Sequence, residues 1–134
     1  PSPTQLTDIG TYTKKINQDI RVTSSGEVLD LLPNAKMLIC VGVSSTMIEA
    51  IILKKPVIFI PGIDYNWKNP SIITSNGCIN SSIENLKTDI LKILNDEKFS
   101  TKIENQSNDY LSNLISHQGQ SSKRFYEFLT NDFN

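Results

Sequence analysis

One continuous segment, residues 37–61 (MLICVGVSSTMIEAIILKKPVIFIP), most constrains the fold of this chain. Its two apolar runs, residues 37–41 and 57–60, are rich in β-branched residues and contain no polar residue, a pattern typical of parallel strands that are buried on both faces. The apolar spacing between the runs predicts a crossover helix over residues 45–53. The segment is therefore expected to form a strand, a turn, a helix and a second strand.

The turn of this segment carries the hydroxyl side chains of Ser44, Ser45 and Thr46. It follows a strand and opens a helix, which is where α/β folds bind anionic ligands, so the first interpretation is a phosphate site. Gly42 would let the backbone approach such a ligand closely. The second interpretation is a helix cap, because Thr46 followed three residues later by Glu49 matches the capping-box pattern.

The remaining sequence predicts an α/β domain of the Rossmann-like, three-layer α/β/α class, with a short parallel sheet and a helical C-terminal tail. Four strands are expected, at residues 20–23, 37–41, 56–60 and 77–80. We divide the chain into an irregular N-terminal segment at 1–19, a core at 20–95, and C-terminal helices that pack on the core at 96–134. The aromatic residues near the C-terminus are expected in the core or at an interface with another domain.

Composition narrows the classes of function. A formal charge of −1 gives no long-range attraction to nucleic acid, so no nucleic-acid partner is expected. Cys40 and Cys78 lack metal-ligand spacing and are expected to be buried free thiols, and we expect neither a metal nor a cofactor.

No apolar run is long enough to cross a membrane and no signal peptide is evident, which favours a cytoplasmic location. Because the chain starts with Pro, we expect a processed product or a piece of a longer protein.

Five segments can be compared with a known family: the helix EVLDLLPNA, the strand MLICVG, the turn and helix SSTMIEA, the run KKPVIFIP and the later NGCI. Together they resemble the C-terminal domain of GT-B-fold glycosyltransferases. The same pattern is similar to the related non-hydrolysing UDP-N-acetylglucosamine 2-epimerases. The resemblance covers roughly residues 20–95. It implies the C-terminal half of a GT-B fold, which binds a nucleotide-diphosphate sugar.

The resemblance also implies a role for particular residues. Ser44, Ser45 and Thr46, with Gly42 before them, would bind the diphosphate, and Glu49 would accept hydrogen bonds from the ribose hydroxyls. The loop after the second strand would bring Asp64, Asn66 or Lys68 to the sugar or diphosphate, and Tyr65 or Trp67 could offer a ring face.

The resulting hypothesis is the donor-binding half of a GT-B-type glycosyltransferase in surface polysaccharide or glycoconjugate biosynthesis. Its expected partners are a nucleotide-diphosphate sugar, a UDP-sugar first among them, an N-terminal GT-B half domain, and an acceptor at the inner face of the membrane. Without the other half we expect no activity. Two alternatives stay open: half of a UDP-sugar 2-epimerase, and a stand-alone flavodoxin-like binding module without catalysis.

Overall fold

The computed structural model describes residues 3–23, 26–62, 68, 70–116 and 119–131, with the backbone alone at residues 3–8 and 131. They form an α/β structure whose contacts divide the chain into two units, Pro1–Leu31 and Leu32–Asn134. The smaller unit contains α1 (Pro3–Ile16) and α2 (Val28–Leu31). The larger unit contains the sheet and is built from a 3-10 turn (Leu32–Asn34), β1 (Leu38–Val41), α3 (Thr46–Ile52), β2 (Val57–Ile60), α4 (Ser71–Thr74), β3 (Ile79–Asn80), α5 (Ile83–Asn95), α6 (Glu97–Leu114) and α7 (Ser121–Asn131).

The sheet is parallel, with strand order β1-β2-β3. Leu38 pairs with Val57 at one end of the β1 and β2 ladder, and Val41 pairs with Ile60 at the other. The Gly42 N–H extends this ladder by donating to the Ile60 carbonyl at 2.9 Å. The predicted strand–helix–strand unit of residues 37–61 is therefore confirmed, and its strands end at one common edge of the sheet.

The core of the larger unit is centred on β2, whose four residues are all buried. Val57 and Phe59 belong to an apolar cluster with α3, α4 and α6, and α6 packs against both α3 and α5. The cluster residues on these helices are Met47, Ala50, Ile51, Ile72, Ile73, Tyr110 and Leu111. Ile58 and Ile60 point to the opposite face and are buried as well, so β2 is covered on both sides.

The strand β1 differs from the prediction that it is buried on both faces. Leu38 and Cys40 pack against the core, but Ile39 is 41% exposed and Val41 is 71% exposed. β1 is an edge strand of the three-stranded sheet, and its face with Ile39 and Val41 lacks the covering that β2 receives. An apolar run in the sequence does not distinguish an edge strand from a central one.

The N-terminal unit contains more helix and less strand than expected. α1 occupies residues predicted to be irregular, with Ile9 and Ile16 two helical turns apart and the Thr13 hydroxyl donating to the Ile9 carbonyl at 3.0 Å. Residues 20–23 are not a strand, and so the described part of the chain has three strands instead of four. Alternation over four residues is too short a signal to specify a strand.

The two C-terminal helices have different surroundings. α6 begins where the Asp96 carboxylate accepts from the Phe99 N–H at 3.0 Å, and it contributes buried residues to the core. By contrast, α7 leaves Phe125, Tyr126 and Phe128 more than half exposed. Only the first helix of the predicted C-terminal pair therefore buries its apolar face.

Candidate functional site

Three segments leave the carboxyl edge of the sheet side by side: residues 42–46 after β1, residues 61–62 after β2, and residues 81–82 after β3. The first two approach closely, since a Cβ atom added at Gly62 would lie 3.4 Å from both Cα and N of Gly42. Gly42 has a φ of 77°, a conformation that glycine adopts without strain. The backbones that follow β1 and β2 are therefore neighbours, and the positive φ at residue 42 is what favours a glycine there.

The turn before α3 is organised by Ser44. Its Oγ accepts from the Thr46 N–H at 3.3 Å and donates to the Thr46 Oγ1 at 3.1 Å, while its carbonyl accepts from the Met47 N–H at 3.1 Å. The helix N-cap is Ser45, whose side chain makes no capping bond. The Thr46 and Glu49 capping box is therefore wrong: Thr46 is already inside the helix, where a capping box would need it at the N-cap.

Ser45 and Glu49 lie one helical turn apart on the same face of α3. The Glu49 side chain is partly buried, whereas the faces of α3 carrying Met47, Ala50 and Ile51 point into the core. Within the described part of the chain, the Glu49 carboxylate accepts no hydrogen bond and forms no ion pair, and the Ser45 hydroxyl is also unbonded. One hydroxyl and one carboxylate on this face are therefore available to a ligand.

Backbone donors accompany these side chains. The N–H groups of Ser44 and Ser45 donate to no acceptor among the described residues, while the N–H of Ile48 is already bonded to the Ser45 carbonyl at 2.9 Å. Unbonded N–H groups beside hydroxyls at the end of a parallel strand are what an anionic ligand requires.

The structure brings Gly42, Ser44, Ser45, Thr46 and Glu49 of the predicted site into one turn and the helix that follows. Lys68 is exposed on the segment after β2. Four other residues that the sequence singled out lie outside the described residues: Asp64, Tyr65, Asn66 and Trp67. Their predicted roles stay predictions.

A positive side chain near the turn would favour an anionic ligand, but the lysine pair at residues 54–55 does not lie there. The three edge segments contain no Lys or Arg, and Lys54 and Lys55 precede β2, at the opposite edge of the sheet. Lys55 is also engaged there, because its Nζ donates to the Pro33 carbonyl at 2.9 Å. Among the described residues that were predicted to bind, Lys68 is the single cation.

A hydrogen-bonded pair at the same edge, Ser81 and Asp89, was not predicted from the sequence. Ser81 is 6% exposed, and its Oγ donates to Asp89 Oδ2 at 2.7 Å, while its N–H donates to the Phe59 carbonyl at 2.9 Å. Asp89 fixes the segment after β3 from two turns into α5, a separation of eight residues that no short motif reveals.

The cysteines are free and unsuited to nucleophilic chemistry. Burial raises the pKa of the Cys40 thiol, and burial together with the neighbouring Cys40 raises the pKa of Cys78 to about 11. Both thiols are neutral at physiological pH, so neither supplies a reactive thiolate. The described residues contain no His, Cys, Asp or Glu cluster suited to a metal ion. None of the described helices is long and apolar enough to cross a bilayer.

Comparison with known proteins found no match to any protein-family model, any curated protein or any solved structure.

Proposed function

We propose that this chain binds a nucleotide-diphosphate sugar and is the donor-binding half of a GT-B-type glycosyltransferase. The observation that carries the proposal is that the Ser45 hydroxyl and the Glu49 carboxylate, which have no partner among the described residues, lie on one face of α3 at the carboxyl edge of a parallel sheet. Ligands of α/β folds bind outside this edge. The sequence resemblance to GT-B enzymes supplies the class of ligand.

In this proposal the diphosphate occupies the turn. The N–H groups of Ser44 and Ser45 and the Ser45 hydroxyl donate to its oxygens, and Lys68 adds a positive charge. Glu49 accepts from the two ribose hydroxyls, because a carboxylate can take both bonds with charge assistance. As the glycosidic bond to the diphosphate breaks, negative charge grows on the leaving group, and the same donors stabilise it.

The proposal assigns the remaining parts of the reaction to other molecules. An N-terminal GT-B half domain supplies the acceptor site, and the acceptor belongs to a surface polysaccharide or glycoconjugate assembled in the cytoplasm at the inner face of the membrane. A UDP-sugar is the first donor to test. Half of a UDP-sugar 2-epimerase would use the same turn.

Calorimetric titration with UDP, GDP, CMP and FMN tests the proposal. We expect binding of a nucleoside diphosphate that weakens roughly 10- to 100-fold in Glu49→Gln, which loses a charge-assisted hydrogen bond. Glu104→Gln is the matched control, because Glu104 is also partly buried but lies on α6, and it should bind as the parent does.

The other outcomes separate the alternatives. Binding of FMN alone would favour a flavodoxin-like module, and binding of none of the four ligands would overturn the donor-site proposal. If UDP binds, product analysis with a UDP-sugar and an added N-terminal half domain distinguishes sugar transfer from 2-epimerisation.

A further inference from the structure

A concave site lies between α4 and α6. It is a cleft of about 410 Å³, a volume within the range of small-molecule sites, roughly 300–1,000 Å³. It shares no residue with the turn before α3. The lining residues are Ser71, Ser75, Asn76, Gln106, Asp109, Tyr110, Asn113 and Leu114.

The lining chemistry selects against charged anions. It contains no Lys or Arg, and its one ionisable side chain besides the Tyr110 phenol is the carboxylate of Asp109. The other polar groups are hydroxyls and amides, which both donate and accept hydrogen bonds. Sugar hydroxyls have the same double capacity, so a neutral polyhydroxyl ligand matches this lining better than a phosphate or a carboxylate does.

The walls of the cleft are held in place by contacts behind them. Tyr110 is 8% exposed, its hydroxyl lies 3.0 Å from the Ser71 Oγ, and its ring packs so closely on Gly77 that a Cβ there would lie 2.7 Å from the ring. The Asn113 amide nitrogen donates to the Asp109 carbonyl at 3.0 Å. A site that is ordered before binding loses less entropy when its ligand arrives.

The cleft also offers an apolar surface beside its polar groups. Gln106, Asp109 and Asn113 are spaced three and four residues apart, so they line one face of α6, and Leu114 is 49% exposed next to them. A pyranose ring has hydroxyl edges and a face of C–H groups. The amide and carboxylate groups suit the edges, and Leu114 suits the C–H face.

We propose that the cleft between α4 and α6 binds a neutral pyranose sugar, independently of any nucleotide at the turn. The binding is weak, with a dissociation constant on the order of 1 mM, as expected for a ligand of this size in a shallow polar site.

Backbone amide shifts during titration with glucose, galactose and N-acetylglucosamine test this proposal. At least one of these sugars should shift the amides of Asn76, Gln106 and Asn113 in the parent protein. Gln106→Ala and Asn113→Ala should each weaken binding about 5-fold or more. Asn105→Ala is the matched control, because Asn105 is exposed on α6 but does not line the cleft.

Three results would overturn the proposal. The first is the absence of these shifts at roughly 20 mM sugar, well above the expected constant. The second is a response to glucosamine or glucose 6-phosphate alone, which would mean that charge selects the ligand. The third is binding that is unchanged in both cleft variants. The shift map of the parent protein decides the first two results even if a variant fails to fold.

Discussion

Replacing Gly77 with alanine should test how α6 packs against the segment between α4 and β3. A Cβ atom at this position would lie 2.7 Å from Cδ1 and 2.8 Å from Cγ of Tyr110, and 3.0 Å from Cγ1 of Ile72. Neither neighbour can easily move, because both are buried and the Tyr110 hydroxyl is hydrogen-bonded to Ser71. The φ of Gly77 is not positive, so the cost of the added methyl group is steric.

The expected cost is set by this overlap. Adding a methyl group to a well-packed core costs about 1–3 kcal/mol, and overlap with two ring atoms and an isoleucine favours about 2–3 kcal/mol. For a unit of this size that corresponds to a melting temperature roughly 10–20 °C lower. Urea and thermal unfolding, followed by circular dichroism, would measure both quantities.

A matched glycine provides the control. At Gly10, inside α1, an added Cβ meets nothing within 4 Å, so Gly10→Ala should leave the unfolding of the larger unit unchanged. If Gly77→Ala were within about 0.5 kcal/mol of the parent, the range of neutral surface substitutions, the packing of Tyr110 on Gly77 would be refuted.

Three further predictions concern stability. Lys54 follows α3 with a φ of 56°, and its N–H donates to the Ile51 carbonyl at 2.8 Å. Glycine adopts this left-handed conformation without strain, so Lys54→Gly should raise the free energy of unfolding in urea by about 0.5–1 kcal/mol. A free energy of unfolding below that of the parent would contradict the left-handed cap. Because the folded-state pKa of Cys78 is raised from 9.0 to about 11, the unfolded thiol ionises first, and stability should fall as the pH rises from about 9 to about 11. Cys78→Val should lack that part of the fall, and an identical pH profile would be the contrary result. Ser81→Ala should lower the free energy of unfolding by about 0.5–1.5 kcal/mol, since the partly buried Asp89 carboxylate loses this hydrogen bond; a neutral effect in denaturant titration would count against this pair.

The sequence predicted those parts of the fold whose periodicity is long or uninterrupted. The segment 37–61 has two apolar runs around a helical spacing, and both strands and the helix are observed there. The α5 helix is also marked in the sequence, by its N-cap Ser82, whose hydroxyl accepts from the Asn85 N–H at 3.3 Å. In these places local pattern and tertiary packing demand the same conformation.

Other parts depend on neighbours that a sequence does not reveal. Residues 20–23 alternate like a strand but do not form one, and β1 is apolar on both sides although one side is exposed. The predicted capping box was also wrong. The helix begins at Thr46, and the Thr46 N–H donates to the Ser44 hydroxyl. The choice among three adjacent hydroxyls is decided by backbone geometry.

The candidate site was therefore predicted in part. Its turn and Glu49 come from one contiguous motif, so their proximity follows once the helix forms. The close approach of Gly42 to Gly62 and the Ser81 bond to Asp89 join segments that are distant in sequence, and they required the three-dimensional structure.

The most direct test of the donor-site proposal is a titration of the labelled protein with UDP, followed by backbone amide shifts. The proposal predicts that the amides of Ser44, Ser45 and Thr46 shift first and saturate together, and that Glu49→Gln weakens this response while Glu104→Gln does not. Shifts confined to other regions, or none at the turn when UDP is in large excess, would contradict a nucleotide-diphosphate site at the carboxyl edge of the sheet.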